Sequence, residues 1–376
     1  MPAEWTFLLG DVLTGAFTAE IPLTGARPGV KLNAAGTMNG TWVLDRTWAG
    51  GDPYTLTAPA RTMLVAMRDQ RPMWAGPIWT RRWDPGAGKV ELGAADFLSY
   101  FERRYVLPPF TPDGTTSQIS GLTTTFAQVE QNDIMRALVS QAQAHPGGNL
   151  GIVADTTVSG ILRDRTYAGH ELVDVATALK NLAEVIDGPD FYFSVAPELD
   201  ANGRIVKTLR LGTPKLGQTG SPHVFETDAN VISWTWPSDG TRMATRTYAT
   251  GEGIEAGALI AVAEDNTKHA DGWPLLEAET AHSTVSVDAT LAEHVAADLT
   301  RSRLPVVTPT LTVRGDTQPG LHDFSLGDEV RVILRDPFAS LGIDTQVRII
   351  GIDYDPGSDG VETATITVDP IFDNVV

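Results

Sequence analysis

Several groups of residues have types and spacings that could do chemistry. Gly86-Ala87-Gly88-Lys89 has the glycines and lysine of a loop that cradles phosphates. The glycine that should open such a loop is missing upstream, around Asp84, and Val90 replaces the Ser or Thr that should follow the lysine. The segment reads as a hairpin turn. His294 and Asp298 stand four apart on an expected helix, with His282 near in sequence, which is metal-ligand spacing but also the spacing of a solvated helix face. Asp353, Asp355, Asp359 and Glu362 resemble a calcium loop, yet Gly357 sits where an oxygen ligand belongs and Ser358 where glycine is required. A turn is the better reading.

Hydrolytic arrangements are no better defined. There is no Gly-x-Ser-x-Gly elbow, and the seven histidines, at 145, 170, 223, 269, 282, 294 and 322, show no spacing that favours a nucleophile–base pair. Two carboxylates that cut a glycosidic bond need only meet in space, so 47 acidic residues leave a polysaccharide hydrolase open as an alternative. Arg314-Gly315-Asp316 matches an adhesion tripeptide at an expected strand end, and Asn39-Gly40-Thr41 is a formal glycosylation acceptor that matters only in a secreted chain. The nine tryptophans are the unusual feature. Trp74, Trp79 and Trp83 cluster early, and Trp234 and Trp236 share a strand face. Exposed, they would be a sugar platform; packed, they are core or interface anchors. The sequence singles out no catalytic, cofactor-binding or metal-binding residue, and no cofactor.

The bulk composition narrows the classes. The 376 residues suggest two to four domains, at about one per 100–200 residues. Twenty-eight Lys and Arg against 47 Asp and Glu give a net charge of −19, which opposes a phosphate-gripping groove or docking on an anionic membrane. The absence of cysteine excludes disulfides, thiol nucleophiles and cysteine-ligated zinc. The first residues, Met1-Pro2-Ala3-Glu4-Trp5, lack the basic and apolar regions of a signal peptide, and no apolar run is long enough to span a bilayer.

The elements that would position such residues follow a simple order. From Glu4 to about Glu91 the texture is β, with strands expected at Arg61–Met67, Met73–Trp83 and Lys89–Gly93 and a tight turn at Asn39-Gly40. A helix is expected over Ala95–Arg104, then a surface excursion over 106–131. Helices follow at Asp133–His145 and His170–Asp187, the second carrying Leu172, Val175, Leu179, Leu182 and Ile186 on one stripe. Strands are expected at Asp190–Val195, Arg204–Leu211 and Val231–Pro237, and a third helix at Ala289–Ser302 with Asp288 as its cap. After Pro305 the chain is β to Asp369.

Two β regions echo each other. The first contains Val65-x-x-Arg68-Asp69, Trp83-Asp84-Pro85-Gly86 and Val90-Glu91; the second contains Val332-x-x-Arg335-Asp336, Tyr354-Asp355-Pro356-Gly357 and Val361-Glu362. The spacing from Asp-Pro-Gly to Val-Glu is identical. The second copy has four more residues before the turn, which a loop absorbs. The echo predicts two similar antiparallel units: strand, loop, long strand, Pro-Gly turn, returning strand.

Further motifs give this order a family likeness. Pro59-Ala60-Arg61 leads into Leu64-Val65-Ala66-Met67-Arg68-Asp69 and then Met73-Trp74-Ala75-Gly76-Pro77-Ile78. Leu326-Gly327-Asp328-Glu329-Val330 opens a strand, paired strands follow at Val347–Ile352 and Thr363–Val368, and a strong middle helix leads to Asp190-Phe191-Tyr192-Phe193. In this order the chain resembles the phage tail-hub or minor tail protein family, in particular the tail-tip baseplate hub of long-tailed phages of actinobacteria. The resemblance implies an α+β, mainly β fold: two tail-tube-like antiparallel β-barrels with an inserted α/β domain. The boundaries expected are 1–105 for barrel one, 106–203 plus 239–303 for the inserted domain, and 204–238 plus 304–372 for barrel two.

The resemblance also implies a structural and non-enzymatic role at the virion's tail tip, after assembly in the host cytoplasm. Such a chain forms a homotrimeric hub. It joins the sixfold tail tube or distal tail protein to the threefold central fibre and other minor tail proteins. The tape-measure protein sits in its lumen, and DNA passes without specific binding. The chain departs from some relatives by ending near residue 376 without a long fibre-like or lytic extension, so receptor binding and wall degradation are not expected of it. A carbohydrate-binding adhesion protein is the alternative binding role.

Overall fold

The computed structural model describes residues 3–44, 48–115, 118–213, 215–253, 257–282, 285–336, 339–357 and 361–370. It is mainly β, with 41% of residues in strands and 15% in helices. Two compact units divide the chain. One comprises Met1–Trp234 with Thr310–Val376, the other Thr235–Pro309.

The first unit contains two curled sheets. In the first, the spatial order is Phe17–Glu20, Trp5–Asp11, Thr62–Arg68, Arg71–Asp84, Lys89–Ala95, Thr37–Val43 and Leu23–Thr24. Asp69 and Gln70 turn between two strands at φ 49° and 64°, the double positive φ that matches strand twist in a two-residue hairpin. The long strand Arg71–Asp84 pairs backwards through Arg71–Pro77 and forwards through Ile78–Asp84. Register shifts at Ala66/Met67 and Ile78/Thr80 mark bulges, which bend a strand and raise its twist. The concave face closes over Leu9, Met38, Trp42, Trp74 and Ile78.

Thr62–Arg68 is buried along six consecutive residues. Leu64 and Ala66 face the sheet's own core, whereas Met63, Val65 and Met67 face a second core. A strand covered on both sides has no reason to alternate. The second core holds the helices Gln131–Gln143 and Val175–Ala183 and the strands Asp190–Val195 and Lys207–Gly212. Glu130 and Asp174 cap the two helices by accepting from Asp133 N and Thr177 N.

The second curled sheet has the order His223–Glu226, Glu329–Asp336, Ala339–Asp355, Thr363–Pro370, Thr310–Arg314 and Val231–Thr235. Gly29–Lys31, from the start of the chain, adds to Ala339–Asp355. The other unit places Ile260–Glu264, Arg246–Thr250 and Glu277–Ala281 in one sheet, covered on one face by Leu291 and Val295 of the helix Asp288–Ser302.

Several expectations need correction. Asn39-Gly40 lies inside the strand Thr37–Val43, where a side chain at Gly40 would crowd Leu23 and Ala26. The excursion over 106–131 ends in the strand Thr123–Glu130, whose threonine run pairs with Leu162–Ala168. The helix expected over His170–Asp187 spans only Val175–Ala183: Leu172 adopts φ 47° and Asp174 provides the cap at its start, and Ile186 lies beyond its end and is exposed. Lys207–Gly212, expected in the second barrel, pairs with Asp190–Val195 instead. Its apolar alternation suits either sheet. The segments 106–203 and 239–303, expected in one inserted domain, fall in different units.

Candidate functional site

The echoed segments occupy matching places in the two curled sheets of the first unit. Thr62–Arg68, Arg71–Asp84 and Lys89–Ala95 correspond to Glu329–Asp336, Ala339–Asp355 and Thr363–Pro370. In both, the long middle strand pairs backwards with its first half and forwards with its second. A register shift near the crossover recurs at Ile349/Gly351. Both Asp-Pro-Gly turns are capped by their aspartate but differ in detail: Asp84 Oδ1 accepts from Ala87 N, three residues on, and Asp355 Oδ1 from Gly357 N, two residues on, each at 3.0 Å. The flanking strand beside Thr62–Arg68 is antiparallel, whereas the one beside Glu329–Asp336 is parallel.

The two sheets meet in a joint built from charged and aromatic residues. Gly29–Lys31 pairs antiparallel with Gly351–Asp353. A side chain at Gly29 would sit 2.2 Å from Asp353 Oδ1, and Trp74 Nε1 donates to Gly29 O at 2.9 Å. Arg68 donates from Nε to Glu362 Oε2 at 2.8 Å and from Nη2 to Oε1. Trp5 Nε1 donates to the same Oε2 at 2.9 Å, and its ring lies 6.1 Å from that of Tyr354. The Arg68 and Glu362 side chains are only 14% and 8% exposed. The bonds from Glu362 hold the Arg68 guanidinium above its ordinary value, and burial pushes the Tyr354 phenol up. Arg27 and Asp355 make a more exposed pair at 2.7 Å.

A second contact explains the Leu326-Gly327-Asp328 motif. Gly327 has φ +91°, and a side chain there would lie 2.3 Å from Leu216 O. Asp328 accepts from Gln218 N and Ser325 N, each at 2.7 Å. The buried Arg348 donates to Asp190, to Leu216 O at 2.9 Å and to Gly327 O at 3.0 Å. The motif therefore clamps the segment around Leu216 between the second sheet and the strand Asp190–Val195.

Residues singled out for chemistry are used differently. Gly86–Lys89 closes a hairpin. Asp353 faces Gly29, Asp355 pairs with Arg27 and Glu362 with Arg68; Asp359 lies outside the described residues. His282 Nε2 and Asp298 Oδ2 are 2.8 Å apart, and the His282 ring stacks on His294 at 4.5 Å. Among the described residues, no three His, Asp or Glu side chains are grouped to hold a metal ion. Arg314 and Asp316 satisfy each other through two bonds of 2.9 and 2.8 Å. Trp42 and Trp74 are buried, Trp79 donates to Ser99 Oγ at 2.7 Å beneath Arg103, and Trp83 is 42% exposed. Among the described residues, no helix is long and apolar enough to cross a membrane. The residues of the joint had one sequence signal, the echo, which marked Arg68 and Glu362 without linking them.

No family model and no curated protein matches the chain. Solved structures do. The 43 kDa tail protein of prophage MuSo2 from Shewanella oneidensis superposes with a TM-score of 0.60 at 13% identity, over 98% of each chain. A tail protein from Neisseria meningitidis gives 0.58 at 14% identity, over 97% of this chain and 96% of that one. A prophage tail protein from Listeria monocytogenes gives 0.52 at 12% identity, over 98% and 95%. Across nearly its whole length, then, the chain has the fold of phage tail proteins.

Proposed function

We propose that the chain is a structural, non-enzymatic tail-tip hub. Three copies close a ring in the virion between the sixfold tail tube or distal tail protein and the threefold central fibre. The observation that carries this reading is the pair of matching curled sheets, joined side by side in one chain through Arg68 and Glu362. Two equivalent modules per chain let three chains present six equivalent surfaces to a sixfold partner and three to a threefold one.

The first module comprises the sheet within residues 5–95. The second comprises Gly29–Lys31, 223–235 and 310–370, and the α/β material at 98–213 packs on the outside of the first. A net charge of −19 suits a lumen through which DNA passes without being held, since an acidic wall repels phosphate.

The test is to image the assembled particle and count copies at the end of the tube. Three copies closing one ring supports the hub. A single copy, or copies placed only on peripheral fibres, overturns it.

A further inference from the structure

The joint inside the first unit connects two unlike surfaces of matching parts. The first repeat supplies Arg68, ahead of its long strand; the second supplies Glu362, just after its Asp-Pro-Gly turn. Each repeat carries both positions. The counterpart of Arg68 is Arg335, and the counterpart of Glu362 is Glu91. One of each is left over. Arg335 is 73% exposed where Arg68 is 14%, and Glu91 is 55% exposed where Glu362 is 8%.

The neighbouring aromatic follows the same rule. Tyr354 is 6% exposed beside Trp5, whereas its counterpart Trp83 is 42% exposed. Asp84 is exposed where its counterpart Asp355 pairs with Arg27. Arg335 and Glu91 currently make exposed pairs with Glu226 at 3.5 Å and Arg82 at 3.6 Å. Pairs of that kind hold little and exchange readily.

A joint between unlike surfaces, made once within a chain, leaves one surface of each kind free. Repeating it between chains generates a closed ring where the rotation closes, and an open filament where it does not. We propose that Arg335 of one chain binds Glu91 of a second copy, burying Trp83 beside the pair and repeating between chains the joint that Arg68 and Glu362 make within one. This rests on the trimeric hub reading and adds which surfaces meet. The occupant is a second copy because the two exposed groups are opposite in charge and are the sequence counterparts of a pair already joined.

The chain contains no cysteine, so introduced thiols report contacts without background. Side chains as long as Arg and Glu hold their backbones beyond disulfide reach, so a short bismaleimide is the right bridge. A full-length chain carrying Glu91→Cys and Arg335→Cys is treated free in solution and in the assembled tail, alongside native mass measurement. The expected products are covalent dimer and trimer, with no longer ladder. The control pair, Arg68→Cys with Glu362→Cys, links within one chain. Glu91→Arg weakens trimer formation by about tenfold or more, and adding Arg335→Glu to the same chain restores it. A native trimer in which the 91–335 pair does not link and the charge swap does not rescue overturns the pairing and leaves the hub standing. A chain that is monomeric both free and in the tail overturns the hub, and the pairing with it.

Discussion

Glu362→Gln is the sharpest perturbation of the joint between the two sheets. The Glu362 carboxylate accepts two bonds from Arg68 and one from Trp5. Gln keeps one acceptor oxygen, loses the other and loses the charge, leaving the Arg68 guanidinium at 14% exposure without its main counter-ion. Removing one partner of a buried pair costs about 3–5 kcal/mol. Arg68 keeps some solvent and has Asp69 at 3.7 Å, an exposed carboxylate, so the expected cost is about 2–3 kcal/mol. At roughly 2–4 °C per kcal/mol, the melting temperature should fall by about 4–12 °C. Arg68→Met should cost a comparable amount, because it strands the carboxylate. The two together should cost about 1.5 kcal/mol less than the sum, since neither charge is then left alone. Urea titrations followed by tryptophan fluorescence, with Trp5 at the joint, measure all three. A cost below about 0.5 kcal/mol for Glu362→Gln, or strictly additive effects, would refute the view that this pair holds the sheets together.

Other consequences are equally direct. Gly327→Ala puts a methyl group against Leu216 O at a positive φ and should cost about 2–3 kcal/mol in chemical denaturation, more than Gly88→Ala, where the hairpin tip offers open space. Lys207 is 2% exposed and donates to the carbonyls of Val12, Leu13 and Leu150, so Lys207→Met should cost about 2 kcal/mol at pH 7 by stranding them. Burial lowers Lys207 to about 8, against the pull of Asp11; between about pH 8 and 10 the unfolded chain holds the extra proton, so wild type should gain on the Met variant there, read as a widening difference in melting temperature. Burial raises Asp96 to about 7 despite bonds from Gly36 N and Leu98 N. A raised carboxyl stabilises fully below its unfolded value and loses that contribution as pH climbs through about 4 to 7, so the deficit of Asp96→Asn in urea titrations should be larger at pH 5 than at pH 8.

What could be read from the sequence was whatever depends on neighbours along the chain. The strand–turn–long strand–turn–strand pattern around Asp84-Pro85-Gly86 and Asp355-Pro356-Gly357 needs only local alternation and turn chemistry, and both hairpins are where the echo put them. Asp190–Val195 is also found at its expected bounds. What could not be read depends on distant partners. Gly29–Lys31 is too short to signal a strand and exists because Gly351–Asp353 offers it an edge. Arg68 and Glu362 are 294 positions apart, and no local pattern links them. Asn39-Gly40 has the composition of a turn, but the packing of Met38 and Trp42 on one face holds it straight. Lys207–Gly212 alternates as any half-buried strand does, and only its pairing reveals its sheet.

The strand Thr62–Arg68 carries a consequence for how the chain can be cut. Three of its side chains complete one core and two the other, so neither can be assembled while the other is missing. A fragment ending near residue 105 would expose Met63, Val65 and Met67 to water along one whole face. The first sheet is thus a continuous stretch of sequence without being an independently excisable piece. Its melting and its amide protection should follow those of the helices Gln131–Gln143 and Val175–Ala183, which contribute none of its strands.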